Sequence, residues 1–114
     1  MNNLAKNPED LARFFVERIN AGNLEGLVAL YEENAILSCG NGKIAQGKAQ
    51  IREFFTKLLI YKPQFCAGIQ ATALINGAIA LTSTKLINGD ITVEIARQQA
   101  DGSWLWVVDQ PKIN

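Results

Sequence analysis

The sequence predicts an α+β fold in which three helices come before an antiparallel sheet. Apolar residues recur at helical spacing in the part of the chain that precedes Pro63, which indicates helices with one buried face. After Pro63, Asn-Gly or Asp-Gly dipeptides at 76–77, 88–89 and 101–102 separate apolar runs, a strong signal for hairpins. Helices followed by a strand meander favour a layer of helices packed on one face of a sheet.

The three helices are bounded by residues that favour helix starts and stops. Asn7 and Pro8 suit the N-cap and the first helical position, and Gly22 ends this first helix. Asn23 can cap the second helix, and the third covers about residues 48–60. The predicted apolar faces of these helices contain Phe15, Tyr31, Phe54 and Phe55.

The predicted strands fall into two groups. Residues 35–38 and 43–46 form a short pair between the second and third helices. A meander of four strands follows, over about residues 65–75, 78–87, 90–99 and 104–110. No change in composition divides the chain, and its length suits one compact unit, so residues 1–114 are predicted to form a single domain.

The composition argues against several classes of protein. Eleven basic and eleven acidic residues cancel without forming a basic stripe, so we expect no nucleic-acid partner. The chain has no histidine, and Cys39 and Cys66 fit no metal spacing, so we expect neither a metal nor another cofactor. No apolar run suits a membrane span or a signal peptide, and two reduced cysteines are typical of a cytoplasmic protein.

Counting across three predicted two-residue turns gives the registers of the meander. The count places one polar residue from each strand in a single row, namely Gln70, Ser83, Glu94 and Asp109. Neighbours across two strands lie about 4.5–5.5 Å apart at Cβ, so Glu94 and Asp109 are predicted to be adjacent. Adjacent carboxylates repel, which raises the pKa of one partner unless a cation or a hydrogen-bond donor compensates.

Two interpretations of this carboxyl pair remain open. The pair lies at a solvated end of the sheet, where Lys85 or Arg97 neutralises it, or it belongs to a polar cluster at the floor or mouth of a pocket. A bulge in the last hairpin would change the register and remove the basis for either interpretation.

The opposite face of the predicted sheet is largely apolar. It carries Ile69, Ala71, Ala73, Thr82, Thr84, Val93, Ile95 and Val108, and it places Arg97 beside Trp106 in a predicted cation–π contact. Since such a face is too apolar to remain solvated, we expect a homodimer that buries it.

Three segments together resemble the ketosteroid-isomerase-like and SnoaL-like proteins of the nuclear transport factor 2-like superfamily. They are "FFVERINAGNLEGLVALYEENAIL", "GKAQIREFFTKLL" and "ARQQADGSWLWVVDQP", and the resemblance covers nearly the whole chain. It implies a cone-shaped fold, in which three N-terminal helices pack on a strongly curved antiparallel sheet and enclose a pocket. It also implies dimerisation through the outer face of the sheet.

The same resemblance implies that steroid-isomerase chemistry is absent. Phe15 stands where the isomerases have their oxyanion-hole tyrosine, Cys39 at the position of the base, and Ala96 at that of the protonated aspartic acid. Phe55 replaces a supporting tyrosine. Phenylalanine and alanine side chains cannot donate a hydrogen bond, so the known isomerase mechanism does not carry over.

The predicted site is therefore a pocket whose polar end is the pair Glu94 and Asp109. The resemblance also implies that these two side chains face the pocket. We expect these two to be catalytic, and the other predicted contacts with a small apolar ligand are Phe15, Tyr31, Cys39, Phe54, Phe55, Gln70, Ser83 and Ala96. Three functions fit this pattern: acid–base catalysis such as isomerisation, cyclisation, dehydration or hydrolysis, non-catalytic ligand binding, and dimerisation around a vestigial cavity.

Overall fold

The structure is a computed structural model that describes residues 3–113, so Met1, Asn2 and Asn114 of the predicted domain lie outside the described residues. The helices are α1 (Asp10–Asn20), α2 (Leu24–Val28) and α3 (Lys48–Leu59). The strands are β1 (Tyr31–Gly40), β2 (Lys43–Gln46), β3 (Ile69–Gln70), β4 (Leu74–Asn76), β5 (Ile79–Lys85), β6 (Ile91–Gln98) and β7 (Trp104–Gln110). None of the helices in the described range is long and apolar enough to cross a membrane.

The strands form one curved, unclosed sheet in the order β2-β1-β7-β6-β5-β3, with β4 also paired to β5. The α+β class and the three helices packed on a curved sheet are confirmed. One detail differs, because β1 and β7 run parallel whereas the other pairs are antiparallel.

Local hydrogen bonds explain where the first two helices begin. The carboxylate of Asp10 accepts the backbone N–H groups of Lys6 and Asn7 at 3.1 and 3.0 Å, and α1 begins only at Asp10. Asn7 is therefore not the N-cap that its position before Pro8 predicted. Asn23 does cap α2, since its side-chain oxygen accepts the N–H of Gly26 at 2.9 Å.

Tyr31 lies on a strand, which corrects its predicted place on the second helix. The helix α2 is only five residues long and ends at Val28. The carbonyl of Leu30 accepts the N–H of Trp106 at 2.8 Å, so the backbone joins the sheet at once, and Tyr31 lies opposite Trp106. An apolar spacing of three or four residues over so short a stretch cannot distinguish a helix from a turn that leads into a strand.

The hairpin between β5 and β6 has a turn that is one residue longer than predicted. The N–H of Leu86 donates to the carbonyl of Asp90 at 2.8 Å, which leaves a three-residue loop that ends at Gly89 with φ of +92°. The extra residue shifts the register by one, so that Thr82 rather than Ser83 lies opposite Glu94.

The hairpin between β6 and β7 also has a three-residue loop, which ends at Gly102 with φ of +88°. Here, however, β7 contains a one-residue bulge: Ala96 pairs with Trp106, whereas the preceding Ile95 pairs with Val108. The longer loop and the bulge shift the register in opposite directions, and their effects cancel beyond the bulge.

This cancellation decides which side chains face the helices. Glu94 lies opposite Asp109, as the register count predicts. Between the loop and the bulge the register stays shifted by one residue, so Trp106 lies opposite Ala96 on the inner face. The predicted contact of Trp106 with Arg97 on the outer face is therefore wrong. The guanidinium of Arg97 instead donates to the carboxylate of Glu32 at 3.0 Å.

The hydrophobic core fills the space between the helices and the inner face of the sheet. Its largest fully buried side chains are Leu11, Ile19, Leu27, Leu30, Tyr31, Leu37, Ile51 and Phe55. Arg18 is buried beside this core, where it donates to the carbonyls of Gly26 at 2.8 Å and Asn3 at 2.6 Å. These contacts hold α1, α2 and the N-terminal segment together, and they leave part of the inner face of the sheet uncovered.

Candidate functional site

A cavity of about 550 Å³ occupies the uncovered part of the inner face. Its walls come from α1, α3, the connector of residues 65–68 and strands β1, β3, β5, β6 and β7. The lining is mostly apolar, and its largest apolar side chains are Phe15, Val16, Leu37, Phe54, Phe55, Leu58, Phe65, Leu86 and Trp106. A concave, mostly apolar cavity of this size suits a small organic molecule.

An aromatic cluster forms one side of the cavity. The ring of Phe15 lies 6.1 Å from that of Phe55, 5.7 Å from that of Phe65 and 6.1 Å from that of Trp106, measured between centroids. Phe54 packs edge-on against Phe55 at 5.2 Å. The rings come from two helices, a strand and the connector, so the cluster joins the elements that form the walls.

Glu94 and Asp109 form the polar end of the cavity. Both carboxyl groups line it, although only 4% of Glu94 and 6% of Asp109 is exposed. The hydroxyl of Thr82 donates to Oε1 of Glu94 at 2.8 Å, and the phenol of Tyr31 donates to Oδ2 of Asp109 at 2.6 Å. Each acid is therefore fixed by a neighbour on an adjacent strand.

Burial changes the acidity of this group of residues. It raises the pKa of Asp109 to about 7, an effect that the charge of Glu94 reinforces and the Tyr31 hydrogen bond opposes. Burial also raises the pKa of Glu94, against the hydrogen bonds from Thr92 and Thr82. The pKa of Tyr31 rises well above its ordinary value, through burial and then the charge of Asp109, so this phenol stays a donor. Near neutral pH Asp109 therefore carries a proton in part of the population.

No basic side chain of residues 3–113 forms an ion pair with either acid. Lys85, which the sequence offered as a neutralising cation, lies with Ser83 on the outer face of β5, opposite Ile91. Arg97 is on the outer face of β6 and pairs with Glu32. The solvated, neutralised interpretation of the carboxyl pair is therefore wrong, since the pair is buried and lacks a cation among the described residues.

Three buried polar atoms of the cavity lining lack a hydrogen-bond partner in the described part of the chain. They are Nε2 of Gln70, Oγ1 of Thr84 and Nε1 of Trp106. Leaving such an atom unsatisfied costs about 1 to 3 kcal/mol, and native proteins contain few of them. Their concentration in the walls of one cavity is typical of a site that binds a polar group.

Six of the ten predicted site residues line the cavity: Phe15, Phe54, Phe55, Gln70, Glu94 and Asp109. Tyr31 lies behind the cavity wall and reaches it only through Asp109. Ala96 is fully buried opposite Trp106 and is also separated from the space by the wall.

Ser83 and Cys39 do not contribute to the lining. The hydroxyl of Ser83 donates to the carbonyl of Thr92 at 2.8 Å, and the longer turn has rotated its side chain to the outer face. Cys39 lies near the end of β1, where its thiol donates to the carbonyl of Leu37 at 3.7 Å. Burial raises the pKa of Cys39, so the thiol remains protonated and unreactive.

Sequence reasoning missed several lining residues for identifiable reasons. Thr84 and Trp106 were predicted on the outer face, because the turns were counted as two residues and have three. In β5 the buried residues alternate with more exposed ones, which places Thr82 and Thr84 on the inner face. Phe65 lies in an irregular connector, where no periodicity assigns a direction to a side chain.

Within residues 3–113, no group of three or more acidic, cysteine or histidine side chains is placed to hold a metal ion. The polar side chains that line the cavity are the carboxyl groups of Glu17, Glu94 and Asp109, the guanidinium of Arg13, the thiol of Cys66, the amide of Gln70 and the hydroxyls of Thr84 and Thr92.

No protein-family model and no curated protein matches the sequence. Solved structures do match the fold. A ketosteroid isomerase-like protein from Erwinia carotovora atroseptica has a TM-score of 0.68 and 17% identity over 89% of this chain and 88% of its own. An NTF2-like protein with a cystatin-like fold from Novosphingobium aromaticivorans has a TM-score of 0.62 and 17% identity over 88% of this chain and 75% of its own.

A candidate calcium/calmodulin-dependent protein kinase type II association domain from Thiobacillus denitrificans has a TM-score of 0.75 and 16% identity over 96% of both chains. At such low identity the likeness concerns the fold alone. The structure therefore agrees with the resemblance found in the sequence, and the chain has the fold of the nuclear transport factor 2-like proteins, which the ketosteroid isomerase-like proteins share.

Proposed function

We propose that the cavity binds a small, mostly apolar molecule and that Glu94 and Asp109 anchor its polar group and exchange a proton with it. The observation that carries this proposal is a pair of adjacent, buried carboxyl groups at the end of an apolar cavity, without a basic partner among the described residues. Burying two acids without a cation costs stability, and a role in ligand chemistry explains why the fold tolerates that cost.

Asp109 is the better candidate for proton transfer. Its pKa of about 7 means that acid and base forms coexist near neutral pH, which suits a general acid or base. Tyr31 holds Oδ2, so Oδ1 is the oxygen that would meet a ligand. Glu94 would supply the second carboxyl group, which takes up or returns the proton. Isomerisation, cyclisation, dehydration and hydrolysis all include such a step.

The second candidate function is non-catalytic binding of the same kind of molecule. The three unsatisfied polar atoms favour non-catalytic binding, because they can form hydrogen bonds with a ligand without reacting with it. The two functions share the cavity and differ in whether a bound molecule is converted. Binding assays followed by product detection after long incubation separate them.

Binding in the cavity can be tested with an uncharged fluorescent probe, N-phenyl-1-naphthylamine, whose emission rises in apolar sites. We expect the wild type to enhance its emission and Val16→Trp, which fills the cavity, to abolish the enhancement. The matched control is Ile60→Trp at the exposed C-terminal end of α3, away from the cavity lining. Equal enhancement by both variants would mean that the probe binds elsewhere and would contradict the proposal.

We further propose that two copies associate through the outer face of the sheet. Ile79, Leu81 and Val108 are exposed there, beside the half-buried Val93 and Ile95. The residues of this face differ from those predicted from the sequence, since Thr82, Thr84 and Trp106 lie on the inner face. Light scattering at micromolar concentration should give a dimer, and Leu81→Lys should give a monomer; a monomeric wild type would contradict the dimer.

The two cysteines support a cytoplasmic location. Both Cys39 and Cys66 are free thiols, which suits a reducing compartment.

A further inference from the structure

The cavity has an unusual balance of charge. Four of its lining residues carry formal charges, namely Arg13, Glu17, Glu94 and Asp109. Nη2 of Arg13 lies 3.1 Å from Oδ1 of Asp10 and its Nη1 lies 3.7 Å from Oε1 of Glu17, so this cation is engaged by carboxylates of its own helix. Glu94 and Asp109, on β6 and β7, form no ion pair with a described residue.

The inner faces of β5, β6 and β7 each provide the cavity with a hydrogen-bond acceptor. Glu94 and Asp109 provide carboxylate oxygens from neighbouring strands. Thr84, only 7% exposed, provides a hydroxyl oxygen that has no partner in the described part of the chain, and it lies two residues from the Thr82 that faces Glu94. Side chains at such diagonal positions are within reach of one another when one of them is long. A protonated primary amine has three N–H donors, which matches three acceptors.

From this geometry we infer that the preferred ligand of the cavity is a primary amine with an apolar body, whose ammonium group is bound by Glu94, Asp109 and Thr84. The inference rests on the proposed ligand-binding function and adds the chemical class of the ligand. An uncharged ligand would leave the desolvated acids uncompensated, and a carboxylate ligand would add a third negative group to them. An ammonium group brings a positive charge to the two acids, which neither an uncharged nor a carboxylate ligand can do.

The aromatic cluster adds a second reason for a cationic ligand. The rings of Phe55 and Trp106 each lie 6.1 Å from the ring of Phe15 at the wall of the cavity, and the faces of aromatic rings attract a positive charge. The same rings provide apolar contact for the body of the amine. A ligand of this class would thus use both the polar end and the aromatic side of the cavity.

The groups that titrate near the acid pair are few, so the pH dependence of binding follows from the pair itself. Tyr31 faces Asp109 from β1 and has a pKa raised well above its ordinary value. Arg13 and Glu17 line the cavity from α1, and Cys66 lines it from the connector, while the lining side chains of α3 are apolar. Since the pair must be ionised to bind an ammonium group, binding should release a proton below pH 7 and tighten as the pH rises.

The test uses three probes with one body and different head groups: 4-phenylbutylamine, 4-phenylbutan-1-ol and 4-phenylbutanoate. Isothermal titration calorimetry at pH 7.5 should show that the amine binds about tenfold or more tightly than the alcohol and that the carboxylate binds more weakly than the alcohol. Between about pH 5.5 and pH 8 the amine affinity should rise about thirtyfold, the factor that a pKa of about 7 gives, while the alcohol affinity stays constant.

Variants locate the amine within the cavity. Glu94→Gln alone, and together with Asp109→Asn, should reduce the preference for the amine to about threefold or less and preserve alcohol binding. Ser83→Ala on the outer face is the control and should behave as the wild type. Circular dichroism checks that each variant has the native fold. If the double variant fails to fold, Glu94→Gln alone tests the amine preference.

The outcomes separate the two levels of the proposal. If the alcohol binds as tightly as the amine, the ligand class is wrong although a binding cavity exists. If none of the three probes binds, the proposed function fails and the inference fails with it. If the amine preference survives in Glu94→Gln, the ammonium group does not bind at the acid pair, and this too overturns the inference.

Discussion

The two faces of β5, β6 and β7 both contain exceptions to the usual distribution of polar and apolar residues. On the inner face Thr82, Glu94 and Asp109 are buried, whereas on the outer face the aliphatic Leu81 and Val108 are exposed. Burying carboxyl groups costs free energy, and exposing aliphatic groups forgoes the stabilisation that burial gives. The difference indicates that the isolated chain is not optimised for stability alone, as expected if a ligand satisfies the inner face and a second copy covers the outer one.

The largest expected effect that tests this comparison is the dependence of stability on pH. The pKa of Asp109 is about 7 in the folded protein and about 3.9 in an unfolded chain, so the native state binds the proton more strongly. The free energy of unfolding should therefore fall as the pH rises through the window from about 4 to about 7, by up to about 4 kcal/mol. Urea denaturation at several pH values measures this loss.

Asp109→Asn should remove most of that pH dependence and should stabilise the fold at pH 8, because the amide stays uncharged and can still accept from Tyr31. Asp90→Asn, in the exposed turn between β5 and β6, is the matched control and should retain the slope of the wild type. An equal slope in wild type and Asp109→Asn would show that Asp109 does not titrate abnormally.

The next effect compares two hydroxyl groups that are adjacent in β5 and lie on opposite faces. Thr82→Val removes the donor to Glu94 and should cost about 1 to 3 kcal/mol. It should also raise the pKa of Glu94, since that hydrogen bond lowers it. Ser83→Ala on the outer face should cost less, within about 1 kcal/mol. Urea denaturation of both variants measures the two losses in the free energy of unfolding. Equal losses would contradict the assignment of the two hydroxyl groups to opposite faces.

A smaller effect is expected for Tyr31→Phe, which removes the hydrogen bond to Asp109 and keeps the ring in the core. Because that bond lowers the pKa of Asp109, its loss should move the pKa above 7. The stability at pH 8 should fall by about 1 to 2 kcal/mol. Carboxyl-carbon NMR of the variant checks the direction, and a pKa that moves downward would contradict the assigned hydrogen bond.

The smallest effect concerns the outer face. Arg97→Met breaks the ion pair with Glu32, but both side chains are partly solvated, so the cost should lie within about 1 kcal/mol. A loss above 2 kcal/mol in thermal unfolding would show that this pair is as important to the fold as the contacts of the inner face.

The order of elements followed from the sequence because the signals for it are local. Helical spacing before Pro63 and the three glycine turns after it depend only on neighbouring residues. The parallel pairing of β1 with β7 joins residues far apart in the chain, and no local signal predicts it. Tyr31 was assigned to a helix for the same reason, since its strand is defined by its partner in β7.

The candidate site was predicted with less accuracy, because a face assignment fails when a turn changes by one residue. The turn between β5 and β6 moved Ser83 outward and Thr82 inward. The opposition of Glu94 and Asp109 was predicted only because a longer turn and a bulge at Val107 cancel. Glycine at the end of a turn is compatible with two-residue and three-residue loops, so the sequence does not distinguish them.

The most direct test of the account is to titrate the carboxyl carbons of Glu94 and Asp109 by NMR in the ligand-free protein. Burial without a cation predicts that the pair titrates in two steps, with one apparent pKa near 7 and the other also above the usual range of its type. If both carboxyl groups instead titrate below about pH 5, as solvated or cation-paired acids do, the acid pair is not the uncompensated polar end of a binding cavity.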